Sequence, residues 1–165
     1  MTLPIRVGIV DDHPGVRVGI RNMLTDAEDI AVVGEGDNGV EAIQIAEQVK
    51  PDILLLDVEL PILRGDVVVK RLRETNPEVK VLAVSTYDDP MYIQGMLENG
   101  AVGYITKEEV PELLITALHS IMHDQVKWIS PKTASKISKI TLEHNDFTGS
   151  ELDILRLLIL GKQDS

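Results

Sequence analysis

Five short apolar runs alternate with amphipathic stretches over the first 124 residues of the chain. The runs lie at 5–10, 30–33, 53–56, 81–84 and 102–105, and each is four to six residues long and rich in Val, Ile or Leu. They lack the alternation of apolar and polar side chains that a half-exposed strand shows. Such runs are typical of strands buried on both faces, as in a parallel sheet.

The stretches between the runs have the periodicity of helices. The first begins near Pro14, the second and third span about 38–49 and about 65–75, and the fourth runs from Asp89-Pro90 to Asn99-Gly100. The fifth places Val110, Leu114, Ala117 and Ile121 on one stripe. The third stretch contains Val67-Val68-Val69, a β-favouring run that argues against a helix there. Five strand–helix units predict an α/β fold with a five-stranded parallel sheet, right-handed crossovers and helices on both faces.

The pattern changes after Met122. Residues 125–146 are polar and rich in Lys and Ser, with a short helical pattern at 131–140, and we interpret them as a helical linker. Thr148 and Glu151 then form a capping box before an apolar run, and Gly161 closes that run. We therefore expect a first domain over 1–124 and, over 147–165, the truncated start of an all-α domain.

Composition excludes several classes of site. The chain has 165 residues and no cysteine, which excludes disulfide scaffolds, thiolate zinc sites, iron–sulfur clusters and Cys nucleophiles. No apolar run reaches the length of a membrane span, and the N-terminus lacks the layout of a signal peptide. We expect a cytoplasmic protein without a membrane partner.

The charge is unevenly distributed. Residues 1–124 hold 10 basic and 22 acidic side chains, a net charge of −12, whereas residues 125–165 hold 6 and 5, a net charge of +1. The acidic body repels phosphate backbones and cannot bind nucleic acid by nonspecific attraction. It could hold a cation where carboxylates converge.

Polar side chains follow four of the predicted strands. Asp11-Asp12 follow the first, Asp57 the third, Ser85 the fourth and Lys107 the fifth. Ligands of open parallel sheets bind outside the carboxyl ends of the strands, so these groups would gather at one edge. Three converging carboxylates repel one another unless they are neutralised, and Mg²⁺ prefers such oxygen ligands. Capping of the following helix is the alternative role for any single Asp among them.

Lys107 is the only Lys or Arg between Lys80 and Lys127. A Lys that ends an apolar strand can simply extend its ammonium to solvent. Opposite three carboxylates, we interpret it as a fixed countercharge.

These residues lie in motifs with a known counterpart. The segments Val10-Asp11-Asp12-His13-Pro14, Leu56-Asp57-Val58-Glu59-Leu60-Pro61, Val84-Ser85 and Gly103-Tyr104-Ile105-Thr106-Lys107 resemble the receiver domain of two-component response regulators. The segment 147–155 resembles the opening of the LuxR-type helix-turn-helix domain of the NarL/FixJ subfamily. The resemblance implies a doubly wound, flavodoxin-like (βα)5 fold with strand order 2-1-3-4-5.

The resemblance also implies a role for each marker residue. Asp57 would accept the phosphoryl group, and Asp11, Asp12, Asp57 and the backbone carbonyl of Glu59 would hold Mg²⁺. Ser85 and Lys107 would bind the phosphoryl oxygens, and Tyr104 would be the aromatic switch. The phosphodonor histidine would belong to a partner sensor kinase. DNA would bind only to the full-length protein, because the recognition helix is not in this sequence.

Two positions depart from the family pattern. Ile62-Leu63-Arg64-Gly65 replaces a Gly-x-Asp-Gly-like turn and keeps only its last glycine, and Glu108 rather than Pro follows Lys107.

Two alternative functions stay open. One is a receiver that signals by protein–protein contacts alone, and the other is a Mg²⁺-dependent phosphohydrolase with Asp57 as nucleophile. The second alternative would favour an Asp-x-Asp pair, where this chain has Asp57-Val58-Glu59.

An apolar strip on the last receiver helix is the predicted dimer contact. We expect phosphorylation to promote a homodimer in which Ile115, Leu118 and Met122 pair with the first helix of a second copy. The alternative is that this strip packs on the linker or on the following domain.

Overall fold

A computed structural model describes residues 3–125 and 127–143 of the chain. Its strands are β1 (Ile5–Val10), β2 (Ile30–Gly36), β3 (Ile53–Leu56), β4 (Lys80–Ser85), β5 (Gly103–Thr106) and β6 (Trp128–Ile129). Its helices are α1 (Pro14–Thr25), α2 (Gly39–Gln48), α3 (Gly65–Thr75), α4 (Pro90–Asn99), α5 (Val110–His119) and α6 (Pro131–Glu143), and a π-helical turn, Ser120–Asp124, follows α5.

The strands form one parallel sheet in the order β2-β1-β3-β4-β5-β6. The predicted order 2-1-3-4-5 is therefore confirmed, and a sixth strand extends the sheet at the β5 edge. The linker predicted over 125–146 includes Trp128 and Ile129, which form this strand. A two-residue strand is too short to produce an apolar run, so the pattern of the sequence does not reveal it.

The core consists of two layers, one on each face of the sheet. In β3, Ile53 and Leu55 face the layer that packs against α1 and α5, whereas Leu54 and Leu56 face the layer under α2, α3 and α4. Alternate side chains of one strand thus enter opposite layers, which explains why the run is apolar throughout. The fold is doubly wound, as predicted.

Helix α3 forms despite its β-branched run. Val68, Val69 and Leu72 are fully buried on one face of the helix, against the sheet and its neighbouring helices. Burial of that face outweighs the small intrinsic penalty for valine in a helix. Observed bounds of 65–75 match the prediction.

Other boundaries differ modestly from the prediction. Strand β2 continues to Gly36, three residues beyond the predicted end, because its partner strand β1 stays paired with it to Val10. Helix α6 continues beyond residue 140 to Glu143. The predicted start of a second domain at 147–165 lies outside the described residues.

Within residues 3–125 and 127–143, no helix combines the length and apolar character that crossing a lipid bilayer requires.

Candidate functional site

Strand register brings two carboxylates together at the carboxyl edge of the sheet. Val10 pairs with Leu56 across β1 and β3, so the residues that follow them, Asp11 and Asp57, emerge side by side. Both side chains are almost completely buried, at 3% and 4% exposure. Two like charges in such a place require a neutralising group.

Lys107 supplies part of that neutralisation from the end of β5. Its Nζ lies 2.8 Å from Oδ2 of Asp11 and 3.1 Å from Oδ2 of Asp57. Burial on its own would lower the pKa of Lys107, but the hydrogen bond to Asp11 and the charges of Asp57 and Asp11 outweigh it and raise that pKa. The ammonium therefore stays protonated and acts as the fixed countercharge that the sequence predicts.

Asp57 has a second, weaker contact on its other oxygen. The backbone N–H of Glu59 donates to Oδ1 of Asp57 at 3.2 Å. Burial raises the pKa of Asp57, the charge of Asp11 raises it further, and Lys107 only partly opposes them. A buried carboxylate with a raised pKa is more basic than a solvated one, which suits a group that attacks an electrophile.

Asp12 and His13 complete a group of metal-type ligands. Asp11, Asp12, His13 and Asp57 each offer one ligand atom, and these atoms all lie within 4.8 Å of one another. Oδ1 of Asp12 is buried and makes no hydrogen bond, although Nδ1 of His13 lies 3.0 Å away. A buried carboxylate oxygen without a hydrogen bond and a donor set dominated by carboxylates fit a hard divalent cation such as Mg²⁺.

His13 was not among the predicted site residues. Its backbone N–H donates to Oδ1 of Asp11 at 2.9 Å, and its Nδ1 lies 3.2 Å from the same oxygen. Its position directly after the acidic pair was the available signal.

The loop between β3 and α3 is held against Asp57 by a glycine. The N–H of Gly65 donates to the carbonyl of Val58 at 2.8 Å, and a Cβ on Gly65 would lie 2.4 Å from the carbonyl oxygen of Asp57. Only a residue without a side chain allows this approach. The one glycine that the chain keeps from the family's turn is thus the one that lies against the backbone of Asp57.

Ser85 and Tyr104 lie together at the start of the loop 86–89, which joins β4 to α4. Both are fully buried. The N–H of Tyr87 donates to Oγ of Ser85 at 3.1 Å, and the hydroxyl of Tyr104 donates to the carbonyl of Tyr87 at 2.5 Å. Burial raises the pKa of Tyr104 to about 12. Ser85 and Tyr104 are thus connected through the backbone of Tyr87.

Two further tyrosines, unassigned by the sequence analysis, border the site. The rings of Tyr87 and Tyr92 stack with centroids 5.0 Å apart, and the hydroxyl of Tyr92 donates to Oε1 of Glu59 at 3.3 Å. Helix α4 is thereby connected to the loop 57–64, which joins β3 to α3.

One part of the predicted dimer strip needs correction. Leu118 is fully buried in the layer beneath α5 and cannot contact a second copy. Ile115 and Met122 are half-buried and pack against the same layer. The helix carries Leu113, Leu114 and Ile115 in succession, so the periodicity of the sequence does not define a single apolar face. The predicted contact face therefore included Leu118, which belongs to the face that packs on the sheet.

A family comparison accounts for this combination of fold and site. The family model described as "Response regulator receiver domain" matches residues 7–119. The chain belongs to the response regulator receiver family. This match confirms the resemblance drawn from the motifs, and the matched range contains the whole candidate site.

Individual relatives place the receiver among NarL- and LuxR-type regulators. The chain is 36% identical over 134 residues to the response regulator GacA of Pseudomonas viridiflava, which covers 81% of this chain and 62% of the relative. It is 33% identical to the nitrate/nitrite response regulator NarL of Escherichia coli K12, covering 96% of this chain and 76% of the relative. A LuxR-family response regulator from Aurantimonas sp. SI85-9A1 superposes with a TM-score of 0.80 at 29% identity, covering 84% of this chain and 99% of that structure. The chain thus spans less than two thirds of the length of its GacA relatives.

Proposed function

We propose that this receiver accepts a phosphoryl group on Asp57 from a phosphohistidine of a partner sensor kinase. A carboxylate oxygen of Asp57 attacks phosphorus, the P–N bond breaks as a P–O bond forms, and the electron pair returns to the imidazole nitrogen, which then takes up a proton. The observation that carries the proposal is the buried Asp57 carboxylate, set between Asp11 and the Lys107 ammonium.

Each neighbouring group has a place in this reaction. Lys107 already contacts the acceptor carboxylate, so its ammonium can follow the charge onto a phosphoryl oxygen. Ser85, at the end of the adjacent strand, would donate its hydroxyl to a second oxygen. Asp11, Asp12, Asp57 and the backbone carbonyl of Glu59 would hold Mg²⁺, whose positive charge would favour the increase of negative charge at the transferred group.

The output of the protein is the second part of the proposal. In the full-length protein, the phosphorylated receiver would control a LuxR-type DNA-binding domain and thereby transcription. The chemistry at Asp57 is stoichiometric, and water would remove the phosphoryl group by slow attack on phosphorus. We therefore propose a signalling role, with at most this slow self-dephosphorylation, rather than a phosphohydrolase.

A homodimer of the phosphorylated receiver stays part of the proposal. Ile115 and Met122 remain partly accessible on α5 and in the following turn, next to α1. Lys107 is the only Lys or Arg between Lys80 and Lys127, so a network of cross-dimer ion pairs through α4, β5 and α5 lacks Lys and Arg partners. Sedimentation at high protein concentration should show a mass increase on phosphorylation, and an unchanged mass would exclude the dimer.

The acceptor role is tested by intact-mass analysis after treatment with acetyl phosphate and Mg²⁺. We expect one added phosphoryl group in the parent and in Asp66→Asn, an exposed acid paired with Arg64. Asp57→Asn should gain none. A phosphoryl group on Asp57→Asn at the parent's yield would overturn the assignment.

The metal proposal has its own test in Asp12→Asn. Because Oδ1 of Asp12 makes no hydrogen bond, we expect the variant to lose Mg²⁺-dependent stabilisation while its metal-free stability is not lowered. Glu59→Gln, which changes the side chain but keeps the backbone carbonyl, is the matched control and should retain the Mg²⁺ effect. Thermal melts with and without Mg²⁺ measure both, and equal stabilisation of Asp12→Asn and the parent would rule the site out.

A further inference from the structure

The segment 127–143, here named the docked linker, is attached to the edge of the receiver sheet. Its strand β6 lies parallel to β5, with Gly103 opposite Trp128 and Tyr104 opposite Ile129. The N–H of Trp128 donates to the carbonyl of Val102 at 2.8 Å. The exposed edge that β5 would otherwise present is thereby paired.

The docked linker also contributes to the receiver core. Ile137 is 2% exposed and lies in the same apolar layer as Tyr104 and α4. Ser130 and Thr133 are buried at the start of α6, where the N–H of Thr133 donates to Oγ of Ser130 at 3.2 Å. Helix α6 is thus fixed at its first turn and packs its apolar face on α4.

One ion pair joins this helix to the loop that follows the switch serine. The ammonium of Lys136 hydrogen-bonds the carboxylate of Asp88, and this contact lowers the pKa of Asp88. Asp88 belongs to the loop 86–89. By contrast, Lys132 forms its ion pair with Glu108, at 3.6 Å and through two well-exposed side chains, and its charge has a smaller effect on Asp88 than the hydrogen bond from Lys136.

The same loop is tied to the phosphorylation site. Tyr87, the neighbour of Asp88, is held on both sides of its backbone, by Oγ of Ser85 and by the hydroxyl of Tyr104. Because the N–H of Tyr87 donates to Oγ of Ser85, recruitment of this hydroxyl to a phosphoryl oxygen would disturb the loop. A displaced loop carries the Asp88 carboxylate away from Lys136.

Charge supports a reversible contact. By sequence, residues 127–143 contain four lysines and one acid, whereas residues 1–124 carry a net charge of −12. Lys127 does not add to the attraction, because burial and the charge of Arg73 lower its pKa, whereas Lys132 and Lys136 on α6 pair with acids of the receiver. The docked linker and the acidic domain attract each other through ion pairs that each contribute little. Loss of one well-placed pair can therefore shift the equilibrium between the docked and the undocked linker.

We propose that the docked linker is the element through which the signal leaves the receiver, and that phosphorylation of Asp57 undocks it by separating Asp88 from Lys136. The inference rests on the proposed function, since it takes Asp57 as the acceptor. The partner of the switch surface is then a segment of the same chain, the one that leads toward the effector domain.

Two features of the sequence allow undocking of the linker to be measured. Trp128 is the only tryptophan of the chain, so its fluorescence reports directly on the β6 edge. The chain has no cysteine, so Ile137→Cys introduces a single thiol at the buried face of α6. Ala46→Cys is the matched control, a fully buried position in α2 on the same side of the sheet.

We expect acetyl phosphate with Mg²⁺ to shift the Trp128 emission and to accelerate labelling of Ile137→Cys by about tenfold, without change at Ala46→Cys. Both effects should disappear when Asp57→Asn is added. Phosphorylation confirmed by mass, with labelling and emission unchanged or labelling slowed, would overturn the inference and leave the proposed function standing. A protein that gains no phosphoryl group would overturn both.

The ion pair is tested separately in the unphosphorylated chain. We expect Lys136→Gln to accelerate labelling at Ile137→Cys, and Lys132→Gln, the matched control, to leave it within about twofold of the parent. Unchanged labelling in Lys136→Gln, or the same acceleration in both variants, would show that the Asp88 contact does not hold the linker.

Discussion

At the scale of single residues, the proposed acceptor Asp57 carries a cost to stability. Its pKa is raised because burial and the neighbouring Asp11 disfavour its charged form more than Lys107 favours it. The ionised group therefore destabilises the metal-free fold at neutral pH. This penalty falls as the pH drops through the folded pKa, and it is absent below the unfolded value near 3.8.

Asp57→Asn should accordingly stabilise the metal-free protein at pH 7, and the gain should shrink as the pH falls toward 4. Urea unfolding at several pH values in the presence of a chelator measures it. Asp66→Asn, at an exposed site, should show no such trend. An Asp57→Asn variant that is less stable than the parent at neutral pH would contradict the electrostatic account of the site.

Ile62 is a second residue with a local cost. It has a positive φ of 71° and is 75% exposed, in the loop where the family pattern has glycine. A left-handed conformation costs a residue with a Cβ roughly 1–2 kcal/mol, and branching at Cβ adds to the strain. We expect Ile62→Gly to raise the free energy of unfolding by about 1 kcal/mol, net of the added chain entropy. Chemical denaturation checks this. Ile62→Ala keeps the Cβ, and an equal gain in that variant would mean that strain is not the cause.

At the scale of elements, the sequence patterns predict the five central strands better than they predict the short strand β6 and the orientation of α5. Buried parallel strands are visible in the sequence as apolar runs, and the residues that follow these strands converge at one edge of the sheet. Asp11, Asp57 and Lys107 could therefore be predicted as neighbours from the sequence alone. The strand at Trp128 could not, because its position depends on long-range pairing with β5. The burial of Leu118 also depends on the rotation of α5 over the sheet, which its broad apolar character leaves open.

The start of α3 is the element on which the acceptor loop depends most. Gly65→Ala would place a Cβ 2.4 Å from the carbonyl of Asp57. We expect a loss of about 1–3 kcal/mol in the free energy of unfolding, together with slower phosphorylation, as the loop is pushed away. Gly95→Ala in α4 is the control, since nothing lies within 4 Å of its added Cβ. It should be neutral or gain up to about 1 kcal/mol. Equal effects of the two substitutions on stability would contradict the close-approach argument.

At the scale of the whole molecule, the sheet topology and the distribution of charge together determine where the candidate site and the docked linker lie. The helices shield both faces of the sheet, and its carboxyl edge concentrates three carboxylates and one ammonium. The opposite sign of charge lies in the segment that docks along β5. In the proposed function, the phosphorylation site and the element that transmits the signal thus lie at neighbouring edges of the sheet, joined by the short loop 86–89.

The central claim is that Asp57 carries the phosphoryl group as an acyl phosphate. Borohydride reduction of the phosphorylated protein converts an aspartyl phosphate to homoserine, which peptide mass spectrometry locates in the sequence. The account predicts homoserine at position 57, formed only when both a phosphodonor and Mg²⁺ are present. Homoserine at position 11 or 12, or a phosphoryl group that resists reduction altogether, would contradict it.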